Sequence, residues 1–196
     1  MRYEVYDCHC NYIGDNIGGN NNGKLRVLFM LNLDELKFQI GNVAYSHGDS
    51  ASRVNGYGKE IITEHQIHQF MDVVEEGNIE WVKNTISLAV SRIEHILYNW
   101  TWNKLKDHLS LDNIPKHKHE YIFELKVPQG FSDTTAWYIL NLAQKFIVAT
   151  VLEEWASITF PGGMETWSRM VQSTSVELEK AFRINNGPAY IKSCWI

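Results

Sequence analysis

The chain has 196 residues and 44% apolar content, which suits a single domain with a real core rather than several independent ones. Eighteen basic against 23 acidic residues leave a net charge of −5, and this disfavours a dedicated duplex-DNA binder, which shows a basic face. No apolar run reads as long enough to span a bilayer, the polar start does not read as a signal peptide, and three cysteines at the two ends (Cys8, Cys10, Cys194) make no disulfide framework.

In chain order, residues 15–23 (Asp-Asn-Ile-Gly-Gly-Asn-Asn-Asn-Gly) read as a turn or loop, because glycine and asparagine accept positive φ. Residues 25–33 and 36–43 read as two strands around a tight Asp34-Glu35 link. Residues 45–58, rich in Gly, Ser and Asn, read as a second loop. Thr63 with Gln66 makes a capping box ahead of Ile67, Phe70, Val73 and Val74, in a helix that should stop at Gly77. A longer helix follows over 80–109, with Val82, Ile86, Ala89, Val90, Ile93, Leu97 and Trp100 on one face. Residues 107–118 form a polar loop around Pro115.

The last third is the most regular part. Tyr121, Phe123, Leu125 and Val127 alternate with Ile122, Glu124 and Lys126, the period-two pattern of a strand with one wet face. Ser132 or Asp133 then caps a nearly all-apolar helix carrying Trp137, Leu140, Phe146, Ile147, Val151 and Trp155. Pro161 suits the first turn of the next helix, where its missing N–H is not needed. There Met164, Trp167, Met170, Val171, Thr174, Leu178 and Phe182 recur at three- and four-residue steps as one stripe. Gly187-Pro188 ends that helix. The element order predicts an α+β, helix-dominated fold. Its core is an antiparallel four-helix arrangement beside a small antiparallel sheet or hairpin. One domain covers 1–196, with 24–43 as a strand-pair elaboration and 187–196 as an extended C-terminal tail.

Candidate chemistry is sparse. Cys8-His9-Cys10 and His117-Lys118-His119 are where metal ligands cluster, but zinc sites usually space paired ligands two to four residues apart. The plainer reading is a thiol pair and a solvated loop. His65 and His68 share a helix face without a nucleophile to serve, and Gly48-Asp49-Ser50 and Gly56-Tyr57-Gly58 lack the strand-before, helix-after setting of a phosphate cradle. Glu153 and Glu154 read as facing a rim or a subunit partner. No catalytic residue, cofactor site or metal site is nominated. Tyr190, Ile191, Trp195 and Ile196 are too apolar to be left in water, so the tail either folds back on its own bundle or plants Trp195 in a neighbour.

Two blocks carry a family resemblance. One is the helical stretch 62–102 with its Glu-Gly-Asn break and Ser91-Arg92-Ile93. The other is 121–182: Tyr-Ile-Phe-Glu-Leu-Lys-Val, then Phe131-Ser-Asp, the apolar helix ending Glu154-Trp155, a proline turn, and a helix ending Glu177-Leu-Glu-Lys-Ala-Phe182. In element order and residue character the chain resembles small head–tail connector or adaptor virion proteins of tailed phages. It resembles especially those of phages and prophages of Bacteroidetes, crAss-like phages and their relatives. The strand pair at 25–43 and the tail 188–196 depart from that pattern. The resemblance implies a non-enzymatic structural protein of the virion, made in the host cytoplasm. It implies a homo-oligomeric ring of about twelve copies, closed through heterologous contacts. Such a ring docks to the portal and neighbouring tail proteins and extends a channel in which DNA is passing cargo; no membrane is involved. Two other readings stand beside it: a small metal-dependent enzyme using Cys8, Cys10, His117 and His119, and a tail-completion or terminator protein.

Overall fold

A computed structural model describes residues 1–6, 12–14, 25–54, 64–97, 120–127 and 131–185. Among these, four strands, β1 (Arg2–Tyr6), β2 (Tyr12–Gly14), β3 (Leu25–Asn32) and β4 (Glu120–Val127), form an antiparallel sheet in the order β2-β1-β3-β4. Five α-helices accompany it: α1 (Leu33–Val54), α2 (Glu64–Met71), α3 (Ile79–Ile96), α4 (Asp133–Thr159) and α5 (Met164–Asn185). The fold is α+β and helix-dominated, as the element order predicts.

The sheet is built from cross-strand pairs. Tyr3, Phe29 and Phe123 stand in register across β1, β3 and β4, and the last two rings stack at 4.9 Å. Val27, Leu31, Tyr121, Leu125 and Val127 are buried on the same face, which the helices cover, while Ile122 on the other face is half exposed. The alternation read in β4 is therefore real. Strands β1 and β2 were not foreseen.

The predicted strand at 36–43 is instead the first half of α1. Asn32 Oδ1 accepts from the N–H groups of Asp34 and Glu35 at 2.9 and 3.1 Å, which caps the helix, and those two acidic residues sit favourably in its first turn. Leu33, Leu36, Ile40, Ala44 and Gly48 then make a buried stripe at three- and four-residue steps. The helix continues to Val54, so 45–54 are helical and not loop. Its two glycines face neighbours: a Cβ at Gly41 would lie 3.0 Å from Val74, and one at Gly48 would lie 2.7 Å from Met71. Close approach of α2 and the turn after it explains glycine where helix propensity opposes it.

Helix α2 ends at Met71, before the expected stop at Gly77, and two short 3-10 turns, Asp72–Val74 and Glu76–Asn78, lead into α3. The last carbonyls of α2 find a donor from elsewhere: Trp155 Nε1 donates to Gln69 O and Phe70 O at 3.2 and 3.1 Å. Helix α3 buries Val82, Ile86, Ala89, Val90 and Ile93, as predicted, and ends at Ile96 with Leu97 closing its last turn. Ser132 is the cap of α4, its hydroxyl accepting from Thr135 N at 3.2 Å.

Helix α4 lies at the centre and contacts α1, α2, α3 and α5. Every side chain from Phe146 to Leu152 is buried, so its middle is covered on all sides. Contrary to the sequence reading, this helix is long and apolar enough to cross a membrane by length and composition, but 72% of its most apolar window is buried inside the fold. Phe160 to Gly163 turn the chain into α5, which packs back along α4 through Trp167, Thr174, Leu178 and Ala181. Of the expected core, Leu140, Phe146, Ile147, Val151, Trp167 and Leu178 are buried together with Ile86, Ile93 and Leu97. Trp155 and Met170 are half-buried, and Trp137 is exposed at 47%. The reason is angular: Trp137 belongs to the solvent stripe Thr134, Tyr138, Asn141 and Lys145, and only one side of it rests edge-on against Tyr3, with ring centroids 5.6 Å apart.

Candidate functional site

A concavity of about 570 Å³ lies between α3 and α5, with α4 as its floor. Helix α3 supplies Ser91, Arg92, His95 and Ile96, one face of its last turns. Helix α5 supplies Ser168, Val171, Gln172 and Ser175, again at helical spacing. Phe146 and Glu153 come from α4. Phe146, Ile96 and Val171 make the bottom apolar, while serines, Gln172, His95 and Glu153 give a polar rim. At one end Arg92 pairs with Glu154 at 3.3 Å, both partly exposed, which joins α3 to α4 without adding much stability. The groove's titratable side chains are Arg92, His95 and Glu153, set among serines, Gln172 and the apolar floor. Its arrangement suits an amphipathic chain segment, which would lay apolar side chains on the floor and leave polar ones at the rim.

A second constellation is an aromatic box where α1, α2 and the α4–α5 turn meet. His47 lies 5.0 Å from Trp167, 5.7 Å from Phe70 and 6.4 Å from Phe160, measured between ring centroids. The Nδ1 of His47 and the Nε1 of Trp167 are both buried without a hydrogen-bond partner. Their chemistry is complementary, since an indole only donates and a neutral imidazole accepts. Burial pushes the imidazole below its usual range, so the box holds His47 neutral.

Large apolar side chains also reach the surface in separate places. Phe38 is 70% exposed and Tyr45 is 63% exposed, two turns apart on one face of α1. Trp137 and Tyr138 are half exposed at the start of α4, and Ile158 is 65% exposed near its end.

Several sequence-nominated residues, Cys8, Cys10, His117, His119, Tyr190, Ile191, Trp195 and Ile196, lie outside the described residues, as do the 15–23 loop, Thr63, Trp100 and Gly56-Tyr57-Gly58. His65 and His68 are both exposed on α2, and Gly48-Asp49-Ser50 sit within α1. Among the described residues, no group of three or more His, Cys, Asp or Glu side chains stands close enough to hold a metal. Glu153 lines the groove, and its neighbour Glu154 pairs with Arg92. Sequence reasoning missed the groove, because serine and glutamine on the rim of amphipathic helices carry no distinguishing signal. Comparison with protein-family models, with curated proteins and with solved structures finds no match to this chain.

Proposed function

We propose that the protein is a non-enzymatic structural subunit of a tailed-phage virion, one of a homo-oligomeric ring in the head–tail connector that docks to the portal and to tail components. The observation that carries this reading is the pair Phe38 and Tyr45, which α1 presents to solvent while its Leu36, Ile40 and Ala44 pack inward. A separate apolar patch, Trp137 and Tyr138, sits on another helix. A ring closes through two different faces per subunit, and large exposed aromatics are typical anchors of such contacts. In this reading α1, α3, α4 and α5 form the antiparallel four-helix core of the subunit, and α4, which touches the other three, supports it. The net charge of −5 suits a channel through which DNA slides.

Native mass spectrometry tests the reading. The wild-type chain, alone or mixed with a portal protein, should give a closed assembly of many copies. The double variant Phe38→Ser/Tyr45→Ser should give a monomer with unchanged helical content. A wild-type monomer under both conditions would sink the proposal.

A further inference from the structure

We infer that the groove between α3 and α5 is the seat of the chain's own C-terminal segment, residues 189–196, with Trp195 as the anchor over Phe146. This goes beyond the ring reading and does not depend on it, since the ring contacts proposed above lie on α1 and at the start of α4. It also chooses between the two fates that the sequence leaves open for Tyr190, Ile191, Trp195 and Ile196.

Three observations carry the inference. The first is reach. Helix α5 ends at Asn185, ten residues past Ser175 and 17 past Ser168, which places the groove about 15 to 26 Å back along the helix axis. The 11 residues from 186 to 196 span ~36 Å when extended, so a chain reversed at Gly187-Pro188 arrives at Ser175 after about five residues. Residues 193–196, with Cys194 and Trp195 among them, then fall within the span of the groove. The second is chemistry. The segment is apolar at Tyr190, Ile191, Cys194, Trp195 and Ile196, and it is broken by Lys192 and Ser193. The groove answers with an apolar floor of Phe146, Ile96 and Val171 and a polar rim that includes Glu153. The third is tethering. A segment joined to α5 by a few residues meets the groove at an effective concentration in the millimolar range, so it outcompetes the same segment from another copy unless geometry forbids it.

Cysteine cross-linking decides the matter, because Cys194 is already in the segment. Cys8 and Cys10 are replaced by Ser, and Gln172→Cys or Ser175→Cys is introduced in the groove. The control is Glu177→Cys, on an exposed position of α5 away from it. Under mild oxidation the groove variants should form a disulfide to Cys194 within one chain, read as a cross-linked peptide pair in a species of monomer mass, and the control should not. Three results overturn the inference: a disulfide between chains, which makes the groove a receptor for a neighbour's tail; no disulfide, which leaves the groove to another occupant such as residues 98–119; and equal reaction at the control. Adding Trp195→Ala to the groove variants should slow the cross-link at least tenfold, and an unchanged rate would remove Trp195 as the anchor.

Discussion

Leu140 shows what a single side chain contributes. It is fully buried on the face of α4 that belongs to the central cluster, so Leu140→Ala leaves a cavity and should cost about 2–5 kcal/mol, read from urea denaturation. Gly163 is a tighter case. A Cβ there would lie 2.2 Å from the ring of Phe160, a rigid neighbour that itself closes the aromatic box. Gly163→Ala should therefore destabilise by ~1–3 kcal/mol through overpacking, whereas a Cβ at Gly48 meets the unbranched side chain of Met71, at its Cε and Cγ, which can turn aside more readily than a ring, so Gly48→Ala should cost less. His47 ties stability to pH. Because burial lowers its folded-state pKa below 6.5, the unfolded chain binds more protons in the window beneath that value. The contribution is fully present above pH 6.5 and is lost as pH falls through the folded pKa. Denaturation midpoints measured from pH 8 to 5 should thus drop more steeply for the wild type than for His47→Gln; parallel curves would show that the box does not hold a neutral imidazole.

At the scale of elements, α1 is where sequence and structure part. Leu36, Phe38 and Ile40 alternate as a strand would, and an alternating strand puts all three on one face. In the helix Leu36 and Ile40 are buried while Phe38 is 70% exposed. Ile40→Ser should cost several kcal/mol and Phe38→Ser less than about 0.5 kcal/mol in the isolated subunit, as judged by thermal melts. Equal losses would favour the strand. The helical signal was present in the Asn32 cap followed by Asp34 and Glu35, but the short period-two match and Gly41 and Gly48 obscured it. By contrast β4, α4 and α5 were legible because their patterns run long enough to exclude the other period. Strand β1 has the same alternation as β4, with Tyr3 inward against Phe29, over only five residues. The groove was not legible, since it exists only where three helices meet, and Trp137 was misplaced because an almost uniformly apolar helix does not announce which narrow stripe faces water.

For the whole molecule, α4 ties the parts together. It touches every other helix, and Tyr3 on β1 donates to Asp133 in its first turn at 2.9 Å. Unfolding should accordingly be one cooperative transition, with far-UV circular dichroism and tryptophan fluorescence giving coincident curves. Separate midpoints would show that the sheet and the helices melt as independent units.

The pairing of β3 with β4 also has a consequence in time. Leu25 stands opposite Val127 and Asn32 opposite Glu120, so residues 33–119, with α1, α2 and α3 among them, form an excursion between two adjacent strands. Closing so long a loop is entropically slow, whereas α4 and α5 are joined by a four-residue turn, 160–163, and need only local contacts to meet. During refolding the α4–α5 hairpin should acquire hydrogen-exchange protection first and the central ladder last. Until that ladder closes, β3 exposes an apolar edge to other nascent chains, so the interval between the two events is when this protein is most prone to aggregate.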